Sequence, residues 1–141
     1  MTMRIRTAKP SDFTELYALG KRFKELRVSN GELFMTREEF KASIRNKKGI
    51  FLVAEDNGKI IGFSYSAIEG KTYASMVYNL VTPKYRGQGL GKRFVREREK
   101  WLRKRGIGAA YLLATNQGII RMMKHLGYKE GKKLVWMEKR L

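Results

Sequence analysis

Apolar residues recur along the chain with two periods, every second residue in some stretches and every third or fourth in others. Residues 4–8 predict a short strand, and Ser11 or Asp12 can cap a helix with the stripe Phe13, Leu16, Leu19, Phe23 and Leu26. Asn30 and Gly31 break that helix. Thr36, with Glu39 three residues later, forms a capping box that starts a short helix burying Phe40 and Ile44. Strands over 50–55 and 59–68 flank Asp56, Asn57 and Gly58, a hairpin signal, and a turn at 69–71 leads into a third antiparallel strand over 72–81. Leu90, Phe94, Val95, Trp101 and Leu102 share a helical face that ends at Gly106. A buried strand over 108–115 and a helix over 117–126 stopped by Gly127 follow. Residues 128–129 and 134–139 close the chain as a hairpin. The resulting order, β-α-α-β-β-β-α-β-α-β-β, predicts a mixed α+β sheet.

A length of 141 residues is that of one domain, able to bury one core, and residues 1–141 are read as a single unit. No apolar run approaches the roughly 20 residues needed to cross a bilayer, and no hydrophobic signal region opens the chain. The expectation is a soluble, cytoplasmic protein with no membrane partner. The absence of cysteine excludes disulfides, thiolate metal sites and a cysteine nucleophile, and no metal site is expected. His125, the only histidine, sits where it would cap a helix C-terminus.

Charge changes the picture more. The chain carries 31 Lys and Arg against 13 Asp and Glu, a net charge of +18, and most of the excess lies in its second half. Between Lys84 and Arg105 the only acidic residues are Glu97 and Glu99. Such a field concentrates anions, whether coenzyme phosphates, nucleic acid or acidic protein. A solvated helix face accounts for the same residues equally well.

Between the strand and the basic helix lies Arg86-Gly87-Gln88-Gly89-Leu90-Gly91-Lys92. Closely spaced glycines let backbone N–H groups converge on one point, and the helix N-terminus adds positive potential there, which makes an anion site. A Walker A loop is excluded because Arg93, not Ser or Thr, follows Lys92; a dinucleotide fingerprint would need glycine at Lys92.

The pattern R-x-x-G-x-G at Arg86, Gly89 and Gly91 resembles the pyrophosphate motif of the GNAT superfamily, the Gcn5-related N-acetyltransferases that use acetyl-CoA. Thr115-Asn116, the turn Lys124-His125-Leu126-Gly127-Tyr128 and the last segment from Trp136 extend the resemblance over nearly the whole chain. It implies a GNAT fold, a mostly antiparallel mixed sheet of about seven strands with helices on both faces. It implies further that the backbone of Asn79, Leu80 and Val81 holds the pantetheine arm of acetyl-CoA. The amides of Gly87, Gln88, Gly89, Leu90, Gly91 and Lys92 would wrap the pyrophosphate, Arg86 would order the loop, and Asn116 would contact the coenzyme.

The activity so implied is direct acetyl transfer to a primary amine of an unidentified acceptor; peptide or protein amines and small-molecule amines are both open, and the basic charge adds an RNA-associated amine as a candidate. Such chemistry needs a base and an acid or oxyanion donor. The family's usual acid tyrosine falls at Met123, and its usual glutamates fall at Ser75 and Tyr111. Tyr78 and Tyr111 stand as catalytic candidates, with a water chain as alternative base. By the same resemblance Glu32, Glu38 and Glu39 would lie in the region that borders the acceptor groove, and a solvated helix face explains them as well. The alternative is an acyl-CoA-binding module on the same scaffold, associated with nucleic acid and with little or no catalysis. Monomer and homodimer are both open.

Overall fold

The computed structural model describes residues 3–27 and 33–141. The helix break expected at Asn30 and Gly31, and also Glu32, lie outside the described residues. Five strands form one sheet in chain order: β1 (Met3–Thr7), β2 (Gly49–Asp56), β3 (Lys59–Ile68), β4 (Tyr73–Val81) and β5 (Ala109–Tyr111). The first four are antiparallel neighbours, whereas β5 runs parallel to β4. Asn57 and Gly58 make the two-residue β2–β3 turn at φ 50° and 79°, as their positive-φ tolerance requires.

Helices cover both faces. Helices α1 (Phe13–Lys21) and α2 (Arg37–Arg45) pack on one, around a ring cluster centred on the fully buried Phe40. Phe40 meets Phe51 and Phe63 edge-on at 5.6 and 5.9 Å. Thr36 caps α2 as expected, its Oγ1 accepting from the Glu39 N–H at 3.1 Å. On the other face, α3 (Leu90–Lys104) lays Leu90 and Phe94 on Ile61 and Val81. Farther along, its Val95 and Leu102 pack with Met76, Ile107 and Met123 of α4 (Gln117–His125).

The element order holds as far as α4, but among the described residues the sheet has five strands rather than about seven. The strand expected at 108–115 is three residues long, and 128–129 and 134–139 form no ladder. Leu134, Val135, Trp136 and Met137 are all exposed. Their pattern suits a strand, but a strand exists through its neighbour's hydrogen bonds, and no described strand lies beside them. The first helix is also shorter than its stripe: α1 ends at Lys21, and a 3₁₀ turn at Lys24–Leu26 carries the last apolar position.

One irregularity in β4 positions the site. Tyr65 pairs with Tyr78 while Ser66 pairs with Met76, so Val77 is an extra, unpaired residue. This bulge reverses the strand's alternation. Ala74 and Met76 face α3, yet beyond Val77 it is Tyr78 and Leu80 that face α1 and α2. β4 also loses its outer neighbour here, because the ladder with β5 covers only Tyr73 to Ser75. From Met76 to Val81 the β5 side of the strand is an open edge among the described residues.

Candidate active site

The direction of the backbone groups along that edge follows from three contacts. Thr82 N–H donates to Ile61 O at 3.0 Å, so Thr82 faces β3. A strand turns successive residues to opposite sides, which aims Val81 and Asn79 at the open edge and Leu80 back at β3. In agreement, Val81 O accepts from Arg86 Nε at 2.7 Å. Leu80 O lies 2.6 Å from the place a Cβ on Gly62 would take. Of the three residues expected to offer backbone to pantetheine, Asn79 and Val81 turn theirs to the open edge, Val81 with its O already held by Arg86, and Leu80 packs in the core at 2 % exposure.

Below the edge, the chain passes through a 3₁₀ turn at Pro83–Tyr85 and reaches the glycine loop. Gly87 and Gly89 stand at φ 78° and 81°, left-handed conformations that disfavour any side chain. Gly89 is the N-cap of the 15-residue α3, whose first turn holds no acidic residue. Its leading amides have no intrahelical partners and point out of the helix end. Gly91 is glycine for proximity instead: an added Cβ would sit 3.4 Å from both Asn79 Nδ2 and Met122 Sδ, where α3 crosses β4 and α4. Arg86 also pairs with Glu25 at 3.2 Å, and Tyr85 Oη donates to Asp56 Oδ2 at 2.7 Å, so the start of the loop is tethered twice. Gln88 is exposed, Lys92 half-buried and Leu90 buried, which leaves Leu90 only its backbone to offer. Asn116 caps α4, its Oδ1 accepting from Ile119 N–H at 2.9 Å.

An open strand edge, a tethered glycine turn and a bare helix N-terminus in this order match a known architecture. Residues 13–128 fit the model of the acetyltransferase (GNAT) family. The chain belongs to the GNAT family. An acetyltransferase of Sodalis glossinidius is 29 % identical over 141 residues, covering 99 % of this chain and 96 % of that one. Among solved structures, AAC(6')-Iy in complex with the bisubstrate analogue CoA-S-monomethyl-acetylneamine superposes with a TM-score of 0.76 at 16 % identity, covering 100 % of both chains. Glucosamine-6-phosphate N-acetyltransferase of Arabidopsis thaliana superposes at 0.73 with 21 % identity, covering 99 % of each. The chain is thus a GNAT-type acetyltransferase, of a family whose acyl donor is acetyl-CoA.

The remaining residues singled out by the sequence lie around and beyond the bulge. Tyr78 Oη contacts Met35 Sδ, and its ring packs on Tyr65 and Phe63. Burial, with the nearby Tyr65 and Glu39, raises the Tyr78 phenol well above its ordinary range. It therefore stays neutral and offers a hydrogen bond rather than a readily lost proton. Tyr65 Oη accepts from Asn46 Nδ2 at 2.8 Å. Tyr111 stands apart at the end of β5, half-exposed and tilted against Tyr73 with centroids 6.3 Å apart. Met123, in the place of the usual tyrosine, is buried among Met76, Val95 and Leu102. Ser75 Oγ donates to Glu69 Oε1 at 2.7 Å, bringing a carboxylate to that strand position from the β3–β4 turn.

Sequence reasoning missed Arg98. It counted among the basic residues of a solvated helix, but it lies on the apolar stripe, four residues after Phe94, and is 1 % exposed. Burial pushes its guanidinium down to about 10. The stripe spacing was the available signal.

A cleft of about 870 Å³ lined by Leu102, Ile107, Tyr111, Tyr128 and Leu134 includes none of the glycine-loop residues. No helix among the described residues is long and apolar enough to cross a membrane, and no group of three potential metal ligands occurs among them.

Proposed function

We propose that this chain transfers an acetyl group from acetyl-CoA directly to a primary amine. The observation that carries the reading is the continuity of the open Asn79 and Val81 edge with the amides of residues 87–92. Pantetheine would add to β4 as a further strand partner, and the pyrophosphate would sit on the α3 N-terminus. Arg86 holds the turn, and Asn116 borders the coenzyme from α4. In the reaction the amine nitrogen bonds to the acyl carbon as the C–S bond breaks, the ammonium proton leaves to water, and the departing sulfur takes up a proton. The Asn79 N–H is placed to receive negative charge developing on the acyl oxygen, and Tyr78 offers a hydrogen bond from the α1 and α2 side. Holding the two reactants together supplies much of the remaining rate enhancement.

The acceptor we favour is an amine carried on a protein or RNA-associated surface. The outward side of α3 exposes Arg93, Arg96, Lys100, Arg103 and Lys104. A chain of net charge +18 would repel a free polycation and gather a polyanion. The direct test is release of CoA thiol from acetyl-CoA by the full chain across protein, peptide and small-molecule amines. Amine-dependent release is expected, whereas coenzyme binding without turnover on any amine would make the chain a binding module.

A further inference from the structure

Beside the bulge at Val77, Arg98 donates to backbone carbonyls of both β3 and β4. Its Nη1 donates to Tyr65 O at 2.9 Å, to Tyr78 O at 3.0 Å and to Ser66 Oγ at 3.2 Å. Its Nη2 donates to Asn79 Oδ1 at 3.3 Å, and its Nε to Phe94 O, one turn back on α3, at 3.3 Å. No salt bridge among the described residues compensates this charge. Burying a guanidinium so completely without a carboxylate is costly, and an aliphatic side chain would fill the α3 stripe as well. Hydrogen-bonding these acceptors alone could be done by a neutral donor. A cation here has a further effect.

Tyr78 O and Asn79 N–H belong to one peptide unit and point in opposite directions. The carbonyl points inward to Arg98, and the N–H points out to the open edge. Hydrogen bonds in series polarise one another, so a cation on the carbonyl makes the N–H at the other end a stronger donor. The planar peptide also transmits orientation: with its oxygen fixed at 3.0 Å from Nη1, the N–H cannot swing as β4 moves. The Asn79 side chain, held by Arg98 at Oδ1 and donating from Nδ2 to Gly91 O at 3.4 Å, links the same unit to the first turn of α3.

We propose that Arg98 is a positioning residue that fixes and polarises the Tyr78–Asn79 peptide, so that the Asn79 N–H acts as the hydrogen-bond donor to the acyl oxygen. This rests on the acetyl-CoA reading of the open edge. It assigns to a buried cation, one peptide removed from the reacting atoms, the electrostatic work that Met123, Ser75 and Tyr111 do not offer from the family's usual positions.

The test is isotope-edited infrared spectroscopy of acetyl-CoA labelled with ¹³C at the thioester carbonyl, bound to the full chain. Wild type is expected to shift the carbonyl stretch to lower frequency than in water. Arg98→Met, which keeps the aliphatic stem and removes the donors, should return it towards the free value while the dissociation constant for CoA stays within about threefold, since the pyrophosphate contacts are untouched. With any amine that supports turnover, kcat should fall by at least about tenfold with KM for acetyl-CoA nearly unchanged, as for loss of one oxyanion donor. Arg98→Lys keeps the charge and fewer donors, and should give an intermediate frequency and partial recovery of kcat. If Arg98→Met does not fold, Arg98→Lys decides alone. An unchanged carbonyl frequency in a folded, CoA-binding variant overturns the proposal, whereas failure of wild type to bind CoA overturns the coenzyme reading instead.

Discussion

Arg86 donates from Nε to Val81 O at 2.7 Å, so the first basic side chain of the glycine loop is bound to the last residue of the strand before it. This contact closes the 3₁₀ turn at Pro83–Tyr85 and sets the spacing between the two halves of the proposed coenzyme site. The same guanidinium reaches Glu25 at 3.2 Å, but both groups are half-exposed there, and a pair of that kind contributes only ~0–1 kcal/mol. The backbone contact is the more important one.

Arg86→Met should therefore weaken CoA binding by roughly tenfold, equivalent to about 1.4 kcal/mol, with little change in thermal midpoint. Arg86→Lys should not restore it, because an ammonium lacks the directional Nε–H. Titration calorimetry with CoA measures both. Glu25→Gln should leave the affinity within about twofold.

Gly89 stands at φ 81° as the N-cap of α3. A β-branched side chain there costs about 1–2 kcal/mol in backbone strain, which the chain can relieve only by reorienting the amides proposed to face the phosphates. Gly89→Val should abolish measurable CoA binding while the protein stays folded by circular dichroism. Gly91→Ala is a different case, since φ is not the constraint and its Cβ would meet Asn79 Nδ2 and Met122 Sδ at 3.4 Å; a loss of affinity well short of that of Gly89→Val is expected.

Asn116→Ala removes the N-cap of α4, for a loss of ~1 kcal/mol and a fall in melting temperature of about 3 °C. Asn116→Asp retains the capping oxygen and should keep the stability. If Asn116 also contacts the coenzyme, the aspartate variant will still bind CoA more weakly, because a negative charge then faces the phosphates. Melting curves with and without CoA separate the two roles.

Stability should depend on pH through the cluster beside β1. Arg6 clamps Asp12 with two hydrogen bonds of 2.8 and 2.9 Å, and Lys9 N–H donates to the same carboxylate. The Arg6 hydrogen bonds, opposed in part by burial, hold Asp12 below the usual carboxylate range. A carboxylate whose folded-state titration is depressed stabilises the fold above the unfolded value near 4, and that contribution disappears as pH falls through the lower, folded value. Asp12→Asn should accordingly destabilise the protein by about 1 kcal/mol at pH 7. The difference from wild type should shrink steadily in urea unfolding series taken below pH 4.

Several features of the fold were legible in the sequence because they depend on local rules. The glycine spacing, the Asn57-Gly58 turn, the Thr36 cap and the Asn116 cap each act within a few residues, and each appears where the sequence places it. The rest depends on pairing between distant segments. Nothing in residues 73–81 announces that Val77 will be skipped by β3, yet that one skip decides that Tyr78 faces α1 and Asn79 faces α3. Arg98 was read as solvated because a charge on a basic helix ordinarily is; the acceptors that distant strands bring to it, Tyr65 O, Tyr78 O and Asn79 Oδ1 among them, make its burial tolerable. Residues 134–139 failed as a strand for the same reason, since their side-chain pattern could not show whether an edge would be beside them.

The most direct measurement is an electron-density map of the full chain with CoA bound. The pyrophosphate should lie against the amides of residues 87–92, with the pantetheine arm paired to Asn79 and Val81 along the open edge of β4. A pyrophosphate bound elsewhere, for example in the cleft between Leu102, Tyr128 and Leu134, would contradict the account at its centre.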